Sequence, residues 1–112
     1  MSKPTIRPYS RYSRDAAALL GQLIRRARIE RRMTVEELAE RAGLSRGLVN
    51  RIEKGDLGCA VGAVFEAATV VGVRLFDADQ TTLARELSAN AATMALLPQA
   101  VRTSTRPVKD DF

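Results

Sequence analysis

The chain has 112 residues, a formal charge of +5, one cysteine and no histidine. That length supports one compact domain with tails, and the missing histidine excludes Ser-His-Asp and Cys-His catalysis and His-bearing metal sites. Cys59 has no second cysteine for an internal disulfide, which fits a reduced, cytoplasmic setting. Hydrophobic residues make up 46% of the chain and aromatics only 4%, so the core must be built from Ala, Val, Leu and Ile, a mix that suits closely packed helices. No stretch reaches the roughly 18 apolar residues of a membrane span, and the first residues lack the apolar stretch of a secretory signal. The expectation is an all-α protein away from the membrane, with no cofactor and no metal.

Residues 1–13 show no apolar period and carry Lys3, Arg7 and Arg11, which reads as a flexible basic arm. With Arg14, these charges either extend a footprint onto an anionic partner or form a solubilising tail. A first helix is predicted from Arg14 to Arg32, capped by Ser13, with Leu20, Leu23, Ile24 and Ala27 as its buried stripe. Thr34 and Glu37 have the spacing of a capping box, opening a short helix that buries Leu38 and Ala39 and ends at Gly43. Ser45 caps a third helix, which turns Leu48, Val49 and Ile52 inward and ends at Gly55. Helices of about eight residues do not stand alone, so these two must pack on each other and on the first.

A fourth helix is predicted from about Ala60 to Val71, with Val61, Val64, Phe65, Ala68 and Val71 as its apolar face, stopped by Gly72. Cys59, at its entry, reads as a half-buried structural thiol. Val73, Arg74, Leu75 and Phe76 are strand formers between Gly72 and Asp77. Such a strand either packs as an extended tail or pairs with a copy of itself across a dimer axis. Asp79 caps a fifth helix with Leu83, Leu87, Ala91 and Met94 along one stripe, ended by Pro98; residues 98–112 read as a disordered tail. The organisation is therefore an arm (1–13), a core domain (14–72), a strand and helix (73–97) and a tail (98–112).

The charge is uneven. Residues 1–58 hold 13 Lys+Arg against 7 Asp+Glu, a net of +6; residues 59–112 hold 5 against 6, a net of −1. An anion-binding surface belongs in the first half, facing nucleic acid, an anionic membrane surface or an acidic protein. The third helix shows an outer face of Arg46, Gly47, Asn50, Arg51 and Lys54. Side chains near a helix start can enter the major groove of DNA; Arg can bind guanine O6 and N7, and Asn can bind adenine N6 and N7. Thr34 and Ser45, at two helix starts, are suited to phosphates as well as to capping.

The segment TVEELAERAGLSRGLVNRIEKG, residues 34–55, carries Leu38, Ala39, the Gly43 turn, Leu44, Ser45, Val49 and Ile52, then Ile-Glu-Lys-Gly. At this spacing the set resembles the helix-turn-helix of the XRE (phage-repressor-like) family, over about residues 19–72. The resemblance implies a lambda-repressor-like fold of four to five helices that binds double-stranded DNA. It also implies base reading by Arg46, Gly47 and Arg51, with Asn50 adjacent, and an ion pair between Arg28 and Glu53 that ties the first helix to the third. Gly47 departs from the usual polar reader, and Val35 stands where the family often has Gln.

The combination of this domain, the fourth helix and the short Val-Arg-Leu-Phe segment resembles HipB-type antitoxins, and the final Asp-Asp-Phe resembles tails of XRE proteins encoded beside HipA-like kinases. The likeness to HipB-type antitoxins implies that Val73, Arg74, Leu75 and Phe76 pair with the same strand of a second subunit. It further implies a homodimer on an inverted-repeat operator, repression of its own operon, and neutralisation of a HipA-like kinase toxin. The fifth helix would enlarge the dimer interface or contact the toxin. A stand-alone XRE regulator shares the DNA site and lacks the toxin. A small enzyme, the third class, finds no support: there is no histidine, no evident paired-acid cleft and no Gly-rich phosphate loop.

Overall fold

The computed structural model describes residues 8–101, and these are helical with no strand among them. Lys3, Arg7 and the Lys-Asp-Asp-Phe ending lie outside the described residues. The chain divides into two units, with the boundary between Asp77 and Ala78.

Helix α1 (Arg11–Glu30) begins three residues before the predicted start. Ser10 rather than Ser13 is the cap, its hydroxyl accepting the Ser13 N–H at 3.1 Å. Both serines have a capping side chain, and nothing between them breaks a helix, so the helix extends to the earlier one. Arg11 to Ser13 are therefore helical and do not belong to an arm. The inward residues of α1 are Gly21, Ile24 and Arg28. Leu23 faces outward and Leu20 and Ala27 are half-buried, which corrects the predicted stripe. Glycine and arginine carry no hydrophobic signal, yet both occupy the packed face here.

Helix α2 (Val35–Ala42) opens with the capping box: the Thr34 hydroxyl accepts the Glu37 N–H at 3.0 Å, and the Thr34 N–H donates to Glu37 Oε1 at 2.9 Å. The Thr34 backbone N–H, then its hydroxyl, lower the Glu37 carboxyl pKa. Gly43 closes the helix at φ 69°, a left-handed conformation that glycine adopts without a Cβ penalty. Two residues later Ser45 caps helix α3 (Arg46–Glu53), accepting the Leu48 N–H at 3.1 Å.

Helix α4 (Val61–Val71) buries Ala67, Ala68 and Val71. Val61 and Phe65, predicted for its apolar face, are exposed. Ten of its eleven residues, all but Glu66, lack a charge and most are apolar, so periodicity does not select a face. Packing does, by turning the small Ala67 and Ala68 into the core, where α4 packs on α1 and α2. Ile24, Leu38, Val49 and Val71, one from each of these four helices, are fully buried at the centre. Around them α2 packs on α3 and α4, and α1 packs on the same two helices.

Val73 to Phe76 do not form the predicted strand. Val73 and Leu75 fold back as half-buried residues on the core. The chain then makes a tight turn at Leu75–Asp77, with Phe76 and Asp77 in left-handed backbone (φ 56° and 51°). A four-residue strand in an otherwise helical chain has no hydrogen-bonding edge to join, whereas its two alternate apolar side chains have a core to cover. In the second unit, Asp79 accepts the Thr82 N–H at 2.8 Å and opens helix α5 (Gln80–Ala95). The predicted stripe of α5 is not buried: Leu83 is half-buried, and Leu87, Ala91 and Met94 are exposed.

Candidate nucleic-acid interface

The position of α3 is set from behind. Arg28 Nε donates to Glu53 Oε2 at 2.7 Å, Nη2 donates to Glu53 Oε1 at 3.0 Å, and Nη1 donates to the Met33 carbonyl at 2.9 Å. One guanidinium thus joins α1, the α1–α2 turn and the last residue of α3. Both side chains are nearly inaccessible, at 10% and 4% exposure. The bond to Glu53 raises the Arg28 pKa, outweighing the opposing effect of burial. Nearby, Gly21 lets the α1 backbone meet the end of α3. A Cβ on Gly21 would lie 2.4 Å from the Ile52 carbonyl oxygen and 2.8 Å from that of Glu53.

The opposite face of α3 is open. Arg46, Gly47, Asn50, Arg51 and Lys54 are all exposed. Ser45 uses its oxygen to cap, which leaves its O–H able to donate outward. Thr34 accepts the Glu37 N–H on its hydroxyl and donates its own backbone N–H to Glu37 Oε1, so that N–H is committed to the cap. Asn50 and Lys54 have no side-chain hydrogen bond or ion pair among the described residues.

The two arginines of this face have carboxylate neighbours that sequence reasoning missed. Arg46 Nη1 meets Glu36 Oε1, on the first turn of α2, at 3.2 Å. Arg51 Nε donates to Asp56 Oδ2 at 2.8 Å. The Gly58 N–H donates to the other Asp56 oxygen at 2.7 Å, and the Asp56 N–H donates to the Arg51 carbonyl at 3.0 Å. Arg51 first, then the Gly58 N–H, hold the Asp56 carboxyl below its ordinary pKa. No helix periodicity links these partners, because Asp56 lies past the end of α3 and Glu36 lies across the turn. The one available signal is opposite charge within the short segment.

Gly47 sits in the first turn of α3 with nothing within 4 Å of the place a Cβ would occupy. Gly47→Ala should therefore stabilise the fold by up to about 1 kcal/mol, the helix-propensity difference, read as a higher urea midpoint. If this backbone lies against DNA, the same variant binds DNA more weakly although it is more stable. Cys59 is half-buried, and burial pushes its thiol pKa up against the opposing influence of Arg51, which makes it a poor thiolate. Among the described residues there is no group of side chains suited to a metal ion and no helix long and apolar enough to cross a membrane.

Two short capped helices joined by a left-handed glycine, with the second helix braced behind and charged in front, form a helix-turn-helix. The family model described as a helix-turn-helix domain matches residues 19–84, reaching past α4 into the start of α5. No curated protein matches the chain. Since the match spans more than half of its length, the chain belongs to the helix-turn-helix domain family, an assignment that supports DNA binding.

Proposed function

We propose that this protein is a sequence-specific regulator of transcription that lays α3 in the major groove of double-stranded DNA and acts by binding alone, without catalysis, cofactor or metal. The observation that carries this reading is the contrast between the two faces of α3. The inner face is locked by Arg28–Glu53, and the outer face offers Arg46, Asn50, Arg51 and Lys54 to the outside. A helix held at a fixed angle, with planar donors on its free side, suits bidentate base reading. The reading places the protein in the cytoplasm.

Selection of duplexes from a randomised pool tests this directly, with enrichment of one sequence as the expected result. On the selected duplex, Arg51→Ala should cost about 1–3 kcal/mol and relax preference at one base pair. An equal loss on all sequences would make Arg51 a phosphate contact, and failure to enrich any sequence would overturn the reading.

We further propose a homodimer on an inverted repeat, whose two recognition helices would reach successive major grooves about 34 Å apart. Its support is the apolar residues that each unit by itself leaves open: Phe76, 80% exposed in a left-handed turn of the first unit, and, in the second unit, Leu87 and Met94 along α5. Leu75 is a poor probe of this interface because it packs on the core. Phe76→Asp should yield folded monomers by sedimentation, and a variant that stays dimeric removes Phe76 from the contact. The finer reading, an antitoxin that represses its own operon and neutralises a HipA-like kinase, is supported by the resemblance of its sequence to HipB-type proteins. A kinase gene beside this one, with co-purification of the two products, would bear it out.

A further inference from the structure

Of the two arginines on the outer face of α3, only Arg51 is held in a defined geometry. Arg46 meets Glu36 through a single 3.2 Å contact, with 66% and 77% of the two side chains exposed. Such a pair contributes little and opens freely. Asp56 is different. Both of its carboxylate oxygens are engaged, one by Arg51 Nε and one by the Gly58 N–H, and its backbone is tied to the Arg51 carbonyl. The carboxylate therefore stays in place while Arg51 remains 53% exposed.

We propose that Asp56 is a positioning residue for base recognition: it grips Arg51 by Nε, so that Nη1 and Nη2 are presented end-on to guanine O6 and N7 and are less strongly drawn to phosphate. This rests on reading α3 as the recognition helix. The physical argument has two parts. An arginine has five N–H donors in a rigid fork, and occupying the Nε donor removes the side-on mode while leaving the paired terminal donors free. The fixed negative charge at Asp56 also offsets the Arg51 charge locally, which weakens attraction to any phosphate regardless of sequence. A base contact survives this because its strength comes from directed hydrogen bonds. Asp56 thus trades general affinity for selectivity.

The test is Asp56→Asn in the full chain, which keeps an oxygen for the Gly58 N–H and removes the charge that holds Arg51. The probes are the duplex that the unmodified chain enriches from a randomised pool, the same duplex with each guanine replaced in turn, and an unrelated duplex. The expected result is about a tenfold fall in the ratio of selected to unrelated binding. Binding to the unrelated duplex should tighten, with its salt dependence steeper by about one released ion. Preference should relax at one guanine, the one at which Arg51→Ala also relaxes it, and adding Asp56→Asn to Arg51→Ala should change the ratio no further. An unchanged ratio and salt slope would overturn the proposal. So would an equal loss on every duplex accompanied by a lower melting temperature, which marks a purely structural role. If the unmodified chain enriches no sequence, the DNA-reading function itself fails, and that outcome is separate from either result for Asp56.

Discussion

Arg28→Met should leave the domain only marginally stable at 37 °C. The variant strands the Glu53 carboxylate, which is 4% exposed, and removes the donor to the Met33 carbonyl. Breaking a buried pair from one side costs about 3–5 kcal/mol, while a domain of this size has only about 5 kcal/mol to lose. Urea unfolding followed by circular dichroism reads the loss. Arg28→Met combined with Glu53→Leu should recover most of it, because no charge is then left in the interior and the two apolar side chains fill similar space. The double variant should still bind DNA poorly, since the guanidinium that aligned the end of α3 with the α1–α2 turn is gone. A loss below about 1 kcal/mol for Arg28→Met would show that the pair is energetically idle.

Gly21→Ala should be almost as damaging, although it adds a single methyl group to a residue that is already helical. The new Cβ would lie 2.4 Å from the Ile52 carbonyl oxygen and 2.8 Å from that of Glu53, and both are backbone atoms that no rotamer change can move. Helix α1 must shift away from α3, which costs about 1–3 kcal/mol or more as overpacking despite the better helix propensity of alanine. The shift also acts on the proposed function, because it tilts the helix whose far face is proposed to meet DNA. Gly21→Ala should therefore lower both the unfolding midpoint and the affinity for the selected duplex, whereas Gly47→Ala raises the first and lowers the second. A Gly21→Ala variant as stable as the parent would mean that α1 and α3 do not approach as closely as described.

The parts of the molecule that are legible in its sequence are those decided within a few residues of chain. The caps at Thr34, Ser45 and Asp79 and the left-handed Gly43 are local features, decided within four residues of chain, and sequence reading located each of them. The central apolar residues of α2 and α3 follow from short, clearly amphipathic segments. The start of α1 did not, because Ser10 and Ser13 are equivalent caps by local chemistry. The face of α4 did not either, because a helix apolar nearly all round has no preferred side until neighbours assign one. Propensity alone makes Val73 to Phe76 a strand, but a strand needs a partner edge, and the described chain has a core to cover instead.

The candidate site divides in the same way. Its outer residues, Arg46, Gly47, Asn50, Arg51 and Lys54, were available from helical spacing alone, since an exposed face is simply what the buried face leaves over. The sequence by itself therefore determined a helix-turn-helix with a basic recognition helix in its net +6 half. The tertiary structure alone decided that Gly21 is the point where α1 touches α3, that Arg28 also holds the Met33 carbonyl, and that Asp56 holds Arg51. These are distance relations across turns and between helices, and no periodicity encodes them, because each depends on where two separately formed elements come to rest.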